Sequence, residues 1–507
     1  HQVLTRPEDR DRHRFLWFET TGTDRVLCHY RMTRHLFGGT ASQTCSIVAR
    51  DCSVQDAATA GVVSEERADR IKKSIYSDDW AESFDDHDEL HEAKQATKLA
   101  LEYGGFPLAK FRYTFDREAG SDCGVLGLIW TTSTDELSTF KPDLNPDIIN
   151  TTRQLLSALM KTYDPIGFLQ PFIVPLKLLV QDVLHRQVGN WDRVLDHDHH
   201  QEAKECMKAI VALHEIRIPR CYVPRLMNNI VCRQIHAFGD GSERAYGSCV
   251  FLRHVDGSGQ SACTLMIAKG KLCPKAKLLT IPRIELCAAV LAVRLVDMLR
   301  RELDVKIDGV FFWTDSLPVL KYINNTTKRF HVFVGHRVSE VRGSSDVQQW
   351  RHVPSDMNPA DSISRGLKFK DSQRSQKFSD WFEGPPFLQL PEHKWPPQPD
   401  DFGHVDDQDP ETKAENIMLT VEQEEWIEPW IATARSIKSA HFRAAWLRRF
   451  VAYLGGHRAS QGELSVDETE LARMAVVRAV QREHFREDID QLESQGQLKP
   501  SNQLWRL

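Results

Sequence analysis

No run in the sequence approaches the roughly 20 consecutive apolar residues that span a bilayer, so no membrane partner is expected. The eleven cysteines include no C-x-x-C pair, and none lies beyond Cys287. Thiols set singly in apolar runs read as buried and reduced rather than as zinc ligands or disulfides, which points to a reducing compartment. No internal repeat and no charged-then-apolar leader is present. The chain opens at His1 already inside a patterned stretch, HQVLTRPEDRDRHRFLWF, and is expected to be a piece of something longer. A large net charge is also missing, since the balance is −6, but that value hides an asymmetry. Residues 228–366 hold 19 Lys and Arg against 13 Asp and Glu, a local +6 that leaves −12 for the remainder. A basic module in an acidic chain suits a polyanion partner for that module alone.

What is present reads as an α/β (α+β) chain of several domains, about three by length. Residues 1–135 alternate strand-like runs (RFLWFET, VLCHYRM, KSIYSDD, GVLGLIW) with one helical stretch, DELHEAKQATKLALEYGG. In that stretch Leu90, Ala93, Ala96, Leu99 and Ala100 recur at helical spacing until Gly104-Gly105 stops it. Residues 136–227 read as mainly helical, broken by Pro165, Pro171 and Pro175. Residues 228–366 give three strands, a long helix (IPRIELCAAVLAVRLVDMLRRELD), a strand (GVFFWTD), two helical pieces, a strand (DVQQWRHVP) and a last helix. That order, βββαβα(α)βα, fits one mixed sheet with flanking helices. Residues 367–425 are rich in Pro and acid and are expected to form a partly ordered linker. Residues 426–507 are helical, with a capping box at Ser465 and Glu468.

Four acids of the basic module fall where a mixed sheet brings chain ends together. Asp240 ends the first strand, Glu285 lies near the start of the long helix, Asp315 ends the fourth strand, and Asp361 opens the last helix. Strand ends and adjoining helix starts share one sheet edge, so the four can converge. Four converging carboxylates would hold two Mg²⁺ (or Mn²⁺) ions roughly 4 Å apart, one activating water and the other stabilising the leaving oxygen of a phosphodiester. Lys269, Lys271, Lys275 and Lys277 of KGKLCPKAK stand nearby in sequence as candidate phosphate contacts. Taken singly, each acid is more often a cap or a solvated turn residue, and the basic loop a solvated surface.

The stretches AFGDGSERAYGSCVFLR, AKGKLCPKAKLLTIPRIELCAAVLAVRL, FFWTDSLPVLKYI and QWRHVPSDMNPADSISRG closely resemble the ribonuclease H domain of BEL/Pao long-terminal-repeat retrotransposon polyproteins. YRMTRHLFGGTASQ, IYSDDWAESF and GGFPLAKF resemble the latter half of that family's reverse transcriptase, LMKTYDPIGFLQPFIVPLKLLVQD its connection, and WFEGPPFLQLPEHKWP its tether toward the integrase. The resemblance implies a partial reverse-transcriptase palm, a helical thumb or connection, a ribonuclease H-like domain, and a helical lead-in to an integrase. It implies that Asp240, Glu285, Asp315 and Asp361 bind the metal ions of a two-metal endoribonuclease acting on RNA–DNA hybrids. The accessory histidine that some retroviral homologues carry after a Val-Pro pair is replaced here by Ser355-Asp356-Met357, and His352 reads as a strand residue.

IYSDDW matches the polymerase Y-x-D-D turn, which makes Asp78 and Asp79 metal-site residues and places Tyr76 near the primer end by the same resemblance. Ser77 stands where the family is usually apolar. Asp85, Asp86, Asp88 and Glu89 read instead as the solvated start of the next helix. Phe37, Gly38 and Ser42 resemble residues lining the nucleotide pocket. The third polymerase aspartate falls, by the resemblance, just ahead of His1, so the polymerase half of this chain is expected to be inactive. Template-primer nucleic acid and other Pol or Gag products are the implied partners. The implied location is a cytoplasmic virus-like particle, or the nucleus with an integration complex. Two rival readings stand beside this one. An aspartic peptidase would need Asp-Thr-Gly or Asp-Ser-Gly, whereas Asp240-Gly241-Ser242 has the wrong order and no second copy. A degenerate remnant would bind nucleic acid without cleaving it.

Overall fold

A computed structural model describes residues 3–22, 24–36, 38–114, 122–141, 143, 145, 148–186, 190–224, 227, 229–275, 279–367, 376–399, 402–406, 408–413, 434, 436–454 and 462–495. The chain divides into two units, His1–Lys413 and Ala414–Leu507.

The first unit opens with an antiparallel hairpin, β1 (Arg14–Thr21) and β2 (Asp24–Arg31), followed by α1 (Ser42–Thr59) and α2 (Glu65–Ser74). A tight hairpin of β3 (Ile75–Tyr76) and β4 (Asp79–Trp80) leads into α3 (His87–Tyr103). Helix α3 begins where its acids predict. Asp86 caps it, accepting from the Glu89 amide at 2.8 Å, and Asp88 and Glu89 occupy its first turn. Gly105, at φ +77°, ends it.

The run GVLGLIW is two strands rather than one. β5 (Asp122–Val125) and β6 (Leu128–Thr131) are joined by Leu126 (φ +48°) and Gly127 (φ +82°), both left-handed as a two-residue hairpin turn requires. Leucine rarely takes that conformation, so an uninterrupted apolar run concealed the turn. β7 (Glu136–Thr139) and the distant β8 (Ile218–Pro219) complete this four-stranded sheet, which therefore runs across residue 135.

Helices α4 (Thr152–Met160), α5 (Gln170–Arg186) and α6 (His197–Ala212) follow. Pro175 does not break α5 but sits inside it. A proline there has no N–H for the carbonyl of residue 171, and that carbonyl accepts instead from the Leu367 amide at 2.8 Å.

The central sheet has the order β11-β10-β9-β12-β13. β9 (Ile230–Gly241), β10 (Ala245–Asp256) and β11 (Ser261–Leu272) are antiparallel, while β12 (Gly309–Thr314) and β13 (Trp350–His352) add in parallel. α7 (Ile281–Glu302), α8 (Leu317–Asn324), α9 (Val332–Ser344) and the short α10 (Asp361–Arg365) complete the order read from sequence. Strand alternation sends Ile235, Ala237, Val250, Leu252 and Phe312 into a core with α7, α8 and α9. Phe238, Cys249, Phe251, Leu265 and Trp313 enter a second core shared with α4, α5 and α6. The sheet is thus buried on both faces.

Residues 376–413 depart from the linker expected of them. α11 (Gln376–Glu383) is followed by a segment that burys Trp381, Phe387, Leu388 and Trp395 in that second core. Arg253 donates to the Leu388 and Leu390 carbonyls, the Gln398 amide brackets the backbone of His352 on the edge of β13, and Arg283 pairs with Glu411. Prolines exclude regular helix here, but large aromatic side chains each gain roughly 2–3 kcal/mol by burial, enough to lay the segment against the sheet.

The second unit contains α12 (Ile437–Leu454), α13 (Val466–His484) and α14 (Arg486–Gln495). Ala440, Ala444 and Ala445 meet Ala472 and Val476. The predicted capping box forms, with Ser465 and Glu468 each bonding the other's amide. Among the described residues, no helix is long and apolar enough to cross a membrane.

Candidate carboxylate site

The end of β9 reads Phe-Gly-Asp-Gly, and its glycines position the acid between them. A Cβ on Gly241 would lie 2.9 Å from Ile284 Cγ2, and one on Gly239 would lie 3.2 Å from the Ala288 carbonyl carbon. Those close approaches seat α7 on one face, so alternation turns Asp240 to the other, toward α10. There the Ser364 hydroxyl bonds Asp240 Oδ2. Glu285, one turn into α7, accepts from Ser316 Oγ, which also caps α8 by accepting from the Val319 amide at 3.3 Å. Pro318 sits in that first turn of α8, where its missing N–H costs nothing.

Asp315 follows β12. Its Oδ2 accepts from Ser355 Oγ at 2.5 Å, and Asn358 Nδ2 lies 3.5 Å from Oδ1. Buried Asn358 also reaches the Gly239 carbonyl at 3.2 Å, tying the 353–360 loop to the strand that carries Asp240. Asp361 opens α10 and is flanked by two cations, Arg365 Nε at 2.5 Å and Lys377 Nζ at 3.2 Å. The helix is held from below: Ile363 packs where a Cβ on Gly247 would lie 2.3 Å from its Cγ2.

The four acids influence one another in pairs that centre on Asp240 and Asp315. Burial pushes the Asp240 carboxyl up to about 6, with repulsion from Asp315 and Asp361 adding to it and the Ser364 hydroxyl opposing. Burial likewise pushes Glu285 up to about 7, assisted by Asp315 and Asp240 and opposed by Ser316. Mutual repulsion of this kind marks carboxylates that share one small volume. Among the described residues, however, no three His, Cys, Asp or Glu side chains are disposed to hold a metal ion as they stand. Each acid is turned onto a donor from the protein itself: Ser364, Ser316, Ser355 or the Arg365–Lys377 pair. These partners were not singled out from sequence. The available signals were a serine directly after Asp315, and Ser364 and Arg365 three and four residues beyond Asp361, within reach on a helix.

The candidate phosphate contacts scatter. Lys269 and Lys271 are exposed on β11, flanking Gly270, which faces Ile363. They therefore project from the face opposite Asp240, two strands or roughly 10 Å away. Lys275 is paired with Asp182, which Arg244 also contacts at 2.5 Å. Lys277 lies outside the described residues. His352 is a strand residue of β13, as expected.

In the N-terminal part, Ser77 and Asp78 form the two-residue turn between β3 and β4, with Tyr76 opposite Asp79. Ser77 adopts φ +57°, a conformation that costs a non-glycine residue on the order of 1 kcal/mol. Arg50 of α1, held by Asp51 at 2.7 Å, supports the turn through the Ile75 and Ser77 carbonyls at 3.3 and 3.4 Å. Tyr76, Asp78 and Asp79 are exposed. Ser42 begins α1 with Oγ 3.4 Å from His35 Nδ1, and Gly38 has φ +83°. Phe37 lies outside the described residues.

Residues 151–316 match the family model described as "Pao retrotransposon-like RNaseH-like domain". That range includes Asp240, Glu285 and Asp315 and stops short of Asp361. No curated protein matches the chain. Among solved structures, the RNase H1 of the halophilic archaeon Halobacterium salinarum NRC-1 is 20% identical, over 26% of this chain and 93% of that one, with a TM-score of 0.19. The foamy viral protease-reverse transcriptase dRH in complex with double-stranded DNA is 13% identical, over 66% of this chain and 52% of that one, with a TM-score of 0.37. The foamy viral protease-reverse transcriptase in complex with double-stranded DNA is also 13% identical, over 66% and 62%, with a TM-score of 0.16. This chain thus spans less than two thirds of either foamy viral chain.

Proposed function

We propose, from the match of residues 151–316 to a Pao retrotransposon-like RNaseH-like domain, that this chain is a segment of a Pao/BEL-type retrotransposon polyprotein and a metal-dependent nuclease cutting the RNA strand of RNA–DNA hybrids. The observations that support this reading are that Asp315 and Asp361 both act on the buried Asp240 carboxyl, that Asp315 and Asp240 act on that of Glu285, and that Asn358 ties the Asp315 side chain to the strand carrying Asp240. Crowded, partly buried carboxylates are costly unless a cation offsets them, and hard oxygen donors suit Mg²⁺ or Mn²⁺. Those four residues would hold the ions, which when bound supply an activated water and stabilise the leaving oxygen.

The rest of the work belongs to the protein. Ser364, Ser316 and Ser355 orient the carboxylates through their hydroxyls, and Asn358 locks the loop carrying Ser355 onto β9. The 2′-hydroxyls of the RNA strand distinguish the hybrid from DNA duplex. Lys269 and Lys271 would meet phosphates away from the cleavage point. Asp78 and Asp79, exposed at the β3–β4 turn, would serve the polymerase centre of the longer protein, with Tyr76 at the primer end and Gly38 and Ser42 beside the nucleotide. Template-primer, other Pol or Gag products and a virus-like particle are the setting this reading implies.

The test is a nicking assay with a labelled hybrid. Asp315→Asn keeps the side-chain shape and removes the charge, so Mg²⁺-dependent cleavage should fall by roughly 10³-fold, the several kcal/mol such a ligand contributes. Hybrid binding should be unchanged. Undiminished cleavage by the variant would refute the assignment. The rival reading, binding without cleavage, has one observation in its favour: every acid already has a partner in the protein. Wild-type chain that shifts the hybrid in a gel yet never nicks it would establish that reading.

A further inference from the structure

Lys377 is the member of the site that the ribonuclease H-like sheet does not itself supply. Arg365 reaches Asp361 from one turn away in the same helix. Lys377 comes instead from α11, sixteen residues along, and places Nζ 3.2 Å from Asp361 Oδ2. One turn further in α11, Trp381 is fully buried and donates through Nε1 to the Phe168 carbonyl at 2.7 Å. Phe378 packs on Phe172 of α5, with ring centroids 6.0 Å apart. The helix is therefore pinned on two sides, and the lysine is delivered to the fourth carboxylate by that docking.

We propose that Lys377 is an internal counter-cation of Asp361 that weakens divalent-cation binding at the site, so that docking of α11 sets metal affinity. This inference rests on the reading of the four acids as metal ligands. An ammonium group on a carboxylate oxygen occupies a coordination position and adds like charge beside the incoming ion. Both effects raise the metal concentration needed. With Lys377 largely exposed, at 59% of its side-chain surface, solvent screens the repulsion, and the expected effect is about three- to tenfold in affinity rather than orders of magnitude.

Isothermal titration of the full chain with MnCl₂ tests it. Lys377→Met should bind Mn²⁺ about three- to tenfold more tightly than wild type, and Lys377→Arg should match wild type. In an Asp361→Asn background, Lys377→Met should change Mn²⁺ affinity less than it does in the wild-type chain, because the contact that holds the ammonium on the site is gone and only its like-charge repulsion remains. Unchanged melting temperatures for the lysine variants would show that packing of α11 is intact. Equal Mn²⁺ affinity in Lys377→Met and wild type overturns the inference and leaves the metal-site reading standing. Absence of Mn²⁺ binding in wild type and variants alike overturns the metal-site reading, and the inference with it.

Discussion

Acids that resist ionisation mark the residue scale of this protein, and Asp164 shows the effect outside the carboxylate site. It precedes α5, and its Oδ2 accepts from the Leu169 amide at 3.0 Å and from Gln170 Nε2 at 3.2 Å. Its other oxygen is sealed from solvent with no donor. Burial pushes its carboxyl up to about 6, against those hydrogen bonds and Lys177. A folded-state value above the unfolded one means that the group favours folding below about pH 4 and loses that contribution as pH rises through 6. Asp164→Asn cannot ionise and should escape the loss. Relative to wild type, its stability should improve by on the order of 2 kcal/mol between pH 4.5 and pH 8. Thermal or denaturant unfolding at the two pH values measures this, and a difference that does not change with pH would contradict it. The four candidate metal acids could be picked from sequence because they end strands or open helices beside Gly and Ser. The residues that fix their orientation could not. A serine near a turn is common, and only the fold shows that Ser355 faces Asp315 and Ser364 faces Asp240.

Elements meet at this site through glycine contacts that leave no slack. α10 carries Asp361 and lies on β10 at Gly247, where a Cβ would stand 2.3 Å from Ile363 Cγ2 and 2.9 Å from the Lys269 carbonyl. Gly247→Ala should push α10 outward and cost roughly 1–3 kcal/mol, the usual range for overpacking. The nearest atom is the γ2 methyl of Ile363, which valine would keep and alanine removes: added to Ile363→Ala, the glycine substitution should cost less than it does alone. Additive destabilisation in the double variant would show that the backbone contact, not Ile363, dominates. The strands of the central sheet, the long helix and the Ser465–Glu468 capping box were readable because hydrophobic period and cap residues agree with the fold. The β5–β6 hairpin was not, since its turn uses Leu126 at a position that glycine or asparagine would normally signal. Pro175 misled in the opposite direction. Its helix survives because the Leu367 amide takes the carbonyl that the proline leaves unpaired.

For the first unit as a whole, the central sheet cannot stand on residues 228–366 alone. One face would leave Phe238, Phe251 and Trp313 bare, because their cover comes from α4–α6 and from Trp381, Phe387 and Trp395. Losing several aromatic contacts of roughly 2 kcal/mol each exceeds the stability of a typical domain. A chain cut to 228–366 should therefore fail to unfold cooperatively and should bind a hydrophobic dye, whereas 122–413, which keeps the β5–β8 sheet whole, should melt in one transition. Cooperative melting of the shorter piece would contradict the two-faced core. Composition misplaced this boundary, because proline and acid content describes the backbone of residues 376–413 and says little about where its few aromatics are buried. At this scale too the central claim can be put to one measurement: anomalous diffraction from crystals of the chain grown with MnCl₂. The account predicts manganese peaks enclosed by Asp240, Glu285, Asp315 and Asp361, with the serine hydroxyls still on the carboxylates. Crystals whose manganese lies elsewhere, with these four acids bound only to their protein donors, would contradict it.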